Sequence, residues 1–330
     1  MAGKRMFITG GVGAIHEDEK FGPDYFLPTD AYLETCAAVG AGFFSQRMNQ
    51  LTCNARYMDE VERVLYNNVL TGVSLSGDKY TYQNPLNTDK PDRWEWHVCP
   101  CCPPMFLKIM AAMPGYIYAY QGDNVYVNLF IGSEVRVPVG KSNSVRLKQL
   151  TSYPWHGAVS IQVNPDKAST FSMKVRIPGW AQGTENPYDL YQSNLKAPVK
   201  LKVNQEDVLL RIVDGYAEIN REWKKGDHIE LELPMQPRLI TANKAVENLR
   251  GQVALASGPI IYCFEDADNP ELQTFKLQAQ TPLELSHDSN LLNGVNIIKC
   301  QGDIPAKAIP YYAVANREES HSYKVWIPQK

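Results

Sequence analysis

The segment Cys99-Pro-Cys-Cys-Pro-Pro104 places three thiols within four positions, and its residue types suggest chemistry more directly than any other part of this sequence. A carboxylate and another thiol stand together upstream, in Glu34-Thr-Cys36. Thiolates are soft metal ligands and strong nucleophiles, and several thiolates with one carboxylate suit zinc. If the two segments meet in the folded chain, they form a zinc site. Its predicted ligands are Glu34, Cys36, Cys101 and Cys102.

The residues alone leave several interpretations of this cysteine cluster open. Four protein ligands are typical of a closed structural zinc site that pins a loop onto helices, whereas catalysis usually needs an open coordination position. A thiolate that is both ligand and nucleophile would be an exception to that rule. Alternatively, Cys99 and Cys101 could form a redox pair, or the cysteines could be inert. The other cysteines lie in apolar segments and are predicted to be inert buried thiols: Cys53, Cys263 and Cys300.

A helix from Cys36 to about Leu51 is predicted to position the first of these segments. Thr35 is predicted to be its N-cap, because a threonine side chain can accept a hydrogen bond from a free N–H of the first turn. Residues i and i+2 of a continuous helix do not face each other. With Thr35 as the cap, Glu34 is extended, and its carboxylate can converge with the Cys36 thiol.

Two further helices are predicted in the first third of the chain. One runs from about Met58 to Leu70, where apolar residues recur at helical spacing. The other begins at Pro103 or Pro104, since proline is favoured in a first helical turn. Cys101 and Cys102 then lie at a helix N-terminus, where free N–H groups and the helix dipole favour a thiolate.

After residue 115 the pattern changes to short runs that alternate apolar and polar residues. Turn clusters such as Lys225-Gly-Asp227 separate them, as is typical of antiparallel β-sandwiches. The sequence therefore predicts a multidomain α + β protein. Its predicted units are a helical unit over residues 1–115, a β-sandwich domain over 116–240 and a second β-sandwich domain over 241–330.

The composition bears on the classes of partner. The chain of 330 residues has a net charge of -3 and no basic run of the kind that binds nucleic acid or an anionic membrane surface. No apolar run reaches the roughly 20 residues that cross a bilayer. Neither nucleic acid nor a membrane is therefore expected as a partner.

Carboxylates and aromatic side chains flank both cysteine segments. The acidic run Glu17-Asp-Glu19 could supply the general acid that glycoside cleavage requires. Trp94-Glu-Trp-His97 offers indole rings and an imidazole, which combine an apolar surface with hydrogen-bonding groups as sugar sites do. The candidate substrate contacts are His16, Trp96 and His97.

Several motifs resemble those of the β-L-arabinofuranosidases of glycoside hydrolase families 127 and 146. The resemblance covers essentially the whole chain, and its paired Glu-Thr-Cys and Cys-Cys-Pro-Pro motifs are specific. The motifs are Phe21-Gly-Pro-Asp-Tyr25, Glu34-Thr-Cys-Ala-Ala-Val-Gly40, Cys101-Cys-Pro-Pro104, Pro114-Gly-Tyr-Ile-Tyr118, Tyr126-Val-Asn-Leu-Phe130, Arg176-Ile-Pro-Gly-Trp180 and Ile309-Pro-Tyr-Tyr312.

The resemblance implies a retaining glycosidase that hydrolyses β-L-arabinofuranosides, with an arabinose-containing oligosaccharide or glycan as its substrate. It implies that the four candidate ligands hold Zn²⁺ and that Cys101 is the nucleophile. Glu19 stands at the position that matches the family's acid/base, and Glu17 is the alternative.

The resemblance also implies an (α/α)6 barrel followed by β-sandwich domains. Residues 1–115 would hold only the last helices and the catalytic loop, a partial barrel with exposed apolar faces. We therefore expect the chain to be the C-terminal portion of a longer enzyme, which needs its N-terminal barrel segment or a partner chain. The alternative function is a non-catalytic, zinc-stabilised carbohydrate-binding or scaffold protein, and a thiol oxidoreductase is a third.

Overall fold

The computed structural model describes residues 1–302 and 304–330, which are mostly β-structure with a smaller helical part. Its α-helices are α1 (Thr35–Thr52), α2 (Arg56–Val64) and α3 (Cys102–Ala112), and α2 continues into a π-helical turn, Leu65–Val69. Its strands are β1 (Asn87–Thr88), β2 (Tyr118–Gln121), β3 (Asn124–Val127), β4 (Ser133–Val139), β5 (Asn143–Thr151), β6 (Ala158–Pro165), β7 (Ser169–Arg176), β8 (Tyr191–Ser193), β9 (Lys200–Val203), β10 (Glu206–Asp207), β11 (Ile212–Val213), β12 (Tyr216–Trp223), β13 (Asp227–Glu232), β14 (Arg238–Ala242), β15 (Gln252–Ser257), β16 (Ile260–Glu265), β17 (Leu283–Asp288), β18 (Val295–Cys300), β19 (Ala306–Pro310), β20 (Tyr323–Lys324) and β21 (Ile327–Pro328).

The three helices pack around one small apolar cluster. The predicted apolar stripe of α2 and its π-helical extension is buried there, which confirms the helical spacing of these residues. Gly42 lets α1 approach α3 closely, since a Cβ at this position would lie 3.2 Å from the Ile109 side chain. The stripe consists of Met58, Val61, Val64, Leu65 and Val69.

The start of α1 differs by one residue from the prediction. Thr35 is the first helical residue rather than the N-cap, and the residue at the cap is Glu34, whose side chain makes no capping hydrogen bond. The Thr35 hydroxyl instead donates to the carbonyl oxygen of Thr81 over 2.9 Å. The Thr35 oxygen also accepts a hydrogen bond from the side-chain amide of Asn84 over 2.9 Å, so both of these bonds go to the segment 81–84 rather than to the first turn of the helix. Glu34 is nevertheless extended, with φ -56° and ψ 136°.

Two sheets form a β-sandwich in the middle of the chain. The five-stranded sheet has the order β11-β12-β7-β3-β2, and the six-stranded sheet has the order β10-β9-β13-β6-β5-β4. Their inner faces share one hydrophobic core. The pairing is not wholly antiparallel, because β3 and β7 are parallel. The intervening strands β4 to β6 lie in the other sheet, so the chain crosses over and returns in the same direction.

The last strands form one hydrogen-bonded sheet of ten strands in the region where the sequence predicts a second β-sandwich domain. It also includes β8, and β1 from the first third of the chain pairs with its strand β20. Both of its faces are buried. Ala254 and Ala256 belong to a hydrophobic cluster that includes the N-terminal loop, while Val253 and Leu255 belong to a second hydrophobic cluster on the other face. Loops thus cover the faces of a single sheet. The predicted boundary at residue 240 lies inside β14.

A buried ion-pair cluster joins α2 to the sandwich. Arg176, at the end of β7, is fully buried and lies 2.6 Å from the carboxylate of Asp59 on α2. It also pairs with Glu62, which accepts hydrogen bonds from the Tyr153 hydroxyl and the Trp180 indole. These contacts fix the helical unit on the sandwich.

Among the described residues, no helix is long and apolar enough to cross a bilayer.

Candidate metal centre

The structure brings Glu34, Cys36, Cys101 and Cys102 together, with one donor atom of each within 4.8 Å of all the others. The start of α1 carries the first two, and the start of α3 carries the other two. The Cys36 and Cys102 sulfurs are 3.6 Å apart, and those of Cys101 and Cys102 are 3.8 Å apart. The Cys101 sulfur lies 3.4 Å from a carboxylate oxygen of Glu34.

These separations fit a tetrahedral metal ion. Zinc–sulfur bonds of about 2.3 Å and zinc–oxygen bonds of about 2.1 Å give about 3.8 Å between two sulfur ligands and about 3.6 Å between sulfur and oxygen. Each observed distance agrees with these values to within a few tenths of an ångström. A set of three thiols and one carboxylate is also the chemistry that zinc prefers. The cluster is therefore able to hold a metal ion of the zinc type.

Hydrogen bonds to the segment 81–84 hold the start of α1 in place. The Thr35 backbone N–H donates to the carbonyl oxygen of Tyr82 over 3.0 Å. The Asn84 amide donates to the Thr35 hydroxyl and to the Leu33 carbonyl oxygen, each over 2.9 Å. These partners are buried, so the residues on either side of Thr35 have little freedom. The positions of Glu34 and Cys36 are thus fixed by a segment that lies far from them in the sequence.

Burial opposes thiolates at this site when no cation is present. It raises the pKa of Cys102 to about 12, and it raises the pKa values of Cys36 and Cys101 as well. The cause is the loss of solvation of the charged form. Metal binding would have to supply the positive charge that keeps these groups deprotonated.

A carboxylate lies beside the cluster. The Glu19 carboxylate accepts hydrogen bonds from the hydroxyls of Tyr32, over 2.8 Å, and Tyr82, over 3.3 Å. Burial raises the pKa of Tyr82, and the interaction of its hydroxyl with the Cys101 thiol adds to that rise. Both tyrosines are therefore neutral donors over the physiological range. Tyr82 thus contacts the candidate acid/base and lies close to the Cys101 thiol.

Glu17 and Glu19, the two candidates for the acid/base in the N-terminal loop, differ in their surroundings. Asp18 and Glu19 both have left-handed backbone conformations, with φ of 54° and 53°. For residues other than glycine this conformation costs energy, and such residues cluster at functional sites. Within the described part of the chain, Glu17 has no side-chain hydrogen bond or ion pair, whereas Glu19 is held by two tyrosines. The geometry favours Glu19.

The three candidate substrate contacts differ in how close they lie to the site. The ring of His97 stacks on Trp94 at 4.5 Å and lies 5.0 Å from the ring of Tyr82. His16 packs edge-on against Tyr32 at 5.4 Å. Trp96 lies apart from the cluster, and 72% of its surface is exposed. The structure thus brings His16 and His97 to the site, and it places Trp94 rather than Trp96 beside them.

The aromatic residues Tyr32, Tyr82 and Trp94 were not among the predicted site residues. The alternation of Tyr80-Thr-Tyr82 predicts a strand with two aromatic rings on one face, and this was the signal available for Tyr82. The backbones of Tyr80 and Trp94 exchange hydrogen bonds of 2.9 and 2.8 Å. This pairing turns Trp94 towards the tyrosines, and it depends on a contact between distant segments.

Comparisons with protein families place the whole chain in one family. The sequence model of the β-L-arabinofuranosidase GH127 catalytic domain matches residues 1–115. The models of the GH127 middle domain and of the glycoside hydrolase family 127 C-terminal domain match residues 124–235 and 237–328. A non-reducing end β-L-arabinofuranosidase from Bifidobacterium longum subsp. longum is 31% identical over 366 aligned positions, which cover 96% of this chain and 52% of that protein.

Solved structures agree with this assignment. A GH127 β-arabinofuranosidase superposes with a TM-score of 0.95 at 36% identity, over 100% of this chain and 54% of that one. A GH127 β-L-arabinofuranosidase from Geobacillus stearothermophilus T6 gives 0.91 at 35% identity, over 99% and 55%. The chain therefore spans about half the length of these relatives. Together, the three domain matches and the structural similarity show that this chain belongs to glycoside hydrolase family 127.

Proposed function

We propose that this chain carries the zinc site, the nucleophile and the acid/base of a retaining β-L-arabinofuranosidase. The observation that carries the proposal is the convergence of four donor atoms within 4.8 Å, next to a carboxylate held by two tyrosines. Two relatives of this chain have names that state β-L-arabinofuranosidase activity. The proposed substrate is an arabinose-containing oligosaccharide or glycan.

Glu34, Cys36, Cys101 and Cys102 would hold the zinc ion, which supplies the positive charge that keeps the thiols deprotonated. The Cys101 sulfur attacks the anomeric carbon, while Glu19 donates its proton to the departing glycosidic oxygen. A thioglycosyl bond to Cys101 forms as the glycosidic bond breaks. Glu19, now a carboxylate, takes a proton from water, and that water displaces the sulfur with net retention of configuration. Tyr32 and Tyr82 orient the Glu19 carboxylate throughout.

We further propose that α1 to α3 are the last helices of an (α/α)6 barrel. Apolar side chains on these helices are exposed, notably Phe44 on α1 and Leu107 on α3, each at 65%. Exposed apolar faces of this kind mark surfaces that pack against other elements. The relatives are about twice as long as this chain, and their additional length is the source we propose for the covering helices. Full activity would then require that segment or a partner chain.

Replacing Glu19 with glutamine should slow the hydrolysis of oligosaccharides by about 10²- to 10⁴-fold, because the amide cannot protonate a sugar leaving group. Turnover of 4-nitrophenyl β-L-arabinofuranoside, whose leaving group needs little protonation, should fall less. Steady-state kinetics on both substrates check this. Bound metal should remain, since Glu19 is not among the proposed ligands. A larger loss in Glu17→Gln than in Glu19→Gln would contradict the assignment.

The protein purified without added metal should contain about one zinc ion per chain, because a four-ligand thiolate site binds zinc tightly. Cys36→Ser should lower this content, since it removes one of the three sulfur ligands. Elemental analysis on both proteins is the measurement. Cys53→Ser is the matched control, because Cys53 lies at the other end of α1 and outside the cluster. Folded protein without zinc would overturn the metal assignment.

A further inference from the structure

A cavity of about 440 Å³ adjoins the candidate active site, and the proposed chemistry does not use it. Tyr82 and Trp94, which lie in the cysteine cluster, form part of its wall, and His16 forms another part. Another part of the wall comes from Val314 and Ala315, which follow the ten-stranded sheet's strand β19. The cavity therefore lies between the helical unit and the C-terminal sheet.

The walls of this cavity are held rigidly. The Arg93 guanidinium donates to the carbonyl oxygens of Val314 and Thr71, each over 2.9 Å, and to that of Ala315 over 3.1 Å. The Trp94 indole N–H donates to the Asp92 carboxylate. Arg93 thus connects the loop that carries Trp94 to Val314 and Ala315. The cavity is a built feature of the fold and does not require a rearrangement to form.

Three polar side chains that line the cavity have no partner in the described part of the chain. They are an amide, a carboxylate and an ammonium group, so both donors and acceptors are available to a ligand. The ring of Trp94 adds an aromatic surface, one face of which stacks on His97. An aromatic ring beside free polar groups is suited to a ligand that offers both C–H faces and hydroxyls. The three polar residues are Gln83, Asp30 and Lys90.

The position of the cavity indicates which part of a substrate it would receive. Tyr82 donates to Glu19, and His16 packs on Tyr32, the other tyrosine that donates to Glu19. Two residues of the cavity wall, Tyr82 and His16, thus lie next to the proposed general acid or to its hydrogen-bond partner. A general acid must reach the oxygen of the departing group, so the cavity lies where the leaving group is expected.

We propose that this cavity is the subsite for the leaving group, and that it binds a neutral carbohydrate residue through Gln83, Lys90 and Asp30. The ammonium group donates, the carboxylate accepts and the amide does both, which suits the hydroxyl groups of a carbohydrate, since each hydroxyl can donate and accept a hydrogen bond. The proposal rests on the proposed function. It adds that the C-terminal sheet, through Val314 and Ala315, contributes to substrate selection.

The test measures the hydrolysis of two substrates and the binding of one oligosaccharide by wild type, Gln83→Ala and Lys90→Ala. Each variant should lower kcat/KM for an arabinose-terminated oligosaccharide about tenfold, which corresponds to the loss of one good hydrogen bond. Hydrolysis of 4-nitrophenyl β-L-arabinofuranoside should change less than about twofold, because its leaving group forms no such bond. Isothermal titration with the leaving oligosaccharide alone should show a Kd raised about tenfold in each variant. Gln280→Ala, an exposed glutamine outside the cavity, is the control.

The outcomes separate this proposal from the function on which it rests. One outcome would overturn the subsite and leave the function standing. In it, wild type hydrolyses the aryl substrate, while both variants turn over and bind the oligosaccharide as well as wild type does. Oligosaccharide binding that depends on Gln83, without hydrolysis of either substrate even when the segment of the relatives that this chain does not cover is supplied, would overturn both the function and the leaving-group role. A fall in kcat/KM for the oligosaccharide, without a fall for the aryl substrate, would support the subsite.

Discussion

Cys101→Ser is expected to lower the hydrolysis of β-L-arabinofuranosides by at least about 10³-fold, because a covalent mechanism loses its nucleophile. A serine hydroxyl remains protonated where a metal-bound thiol does not, and it attacks carbon poorly. The loss should fall mainly on kcat, since the sulfur forms its bond with the sugar only as the reaction proceeds. Steady-state kinetics with 4-nitrophenyl β-L-arabinofuranoside is the measurement.

The same substitution should also reduce the metal content, because the Cys101 sulfur lies within 3.8 Å of Cys102 and 3.4 Å of Glu34. Reconstitution with excess zinc separates the two effects. If Cys101 acts only as a ligand, zinc should restore activity to the serine variant; if it is the nucleophile, activity should stay low in the reloaded protein. Cys53→Ser serves as the control, and both variants are assayed alone and with the segment of the relatives that this chain does not cover. Turnover above a tenth of wild type in reloaded Cys101→Ser would refute the nucleophile assignment.

Arg176→Met should destabilise the protein by about 3–5 kcal/mol, the usual effect of breaking a buried ion pair by removing one partner. Arg176 is fully buried, and Glu62 beside it is 2% exposed. Methionine fills much of the space but leaves the carboxylates of Glu62 and Asp59 without their cation. The contact between α2 and the sandwich should weaken, and the urea midpoint, followed by tryptophan fluorescence, should fall.

Arg136→Met is the matched control for this prediction. Arg136 also pairs with an aspartate, Asp166, but the two side chains are 60% and 45% exposed. A surface ion pair contributes less than about 1 kcal/mol, because water solvates both charges when the pair is broken. Similar midpoints for the two variants would mean that the buried cluster does not stabilise the junction between α2 and the sandwich.

The sequence by itself determined the features that depend on local spacing. The apolar stripe of α2 follows from helical periodicity, and proline in the first turn places the start of α3 beside Cys101. Alternating apolar and polar residues predicted the β-structure after residue 115, to which strands such as β5 and β6 belong. The donor types in the two cysteine segments predicted a metal site, and the motifs identified the family, because side-chain chemistry is a property of each residue.

The tertiary structure decided how these local elements meet. The parallel pairing of β3 with β7 and the single ten-stranded sheet depend on which strands become neighbours. Local patterns carry no information about that choice, since a strand can pair with any compatible edge. The start of α1 at Thr35 also reflects tertiary contacts, because the hydroxyl that was predicted to cap the helix is held by the distant residues Thr81 and Asn84.

The candidate site shows the same division. The four donor residues that the structure brings together were predicted from the sequence, yet the hydrogen bonds of Tyr32 and Tyr82 to Glu19 were not. Neither was the position of Trp94, nor the cavity closed by Val314 and Ala315. These features join segments that lie far apart in the chain. Glu19, Tyr82 and Trp94 meet because distant segments of residues 1–115 contact each other, and the cavity forms where this unit packs against the C-terminal sheet.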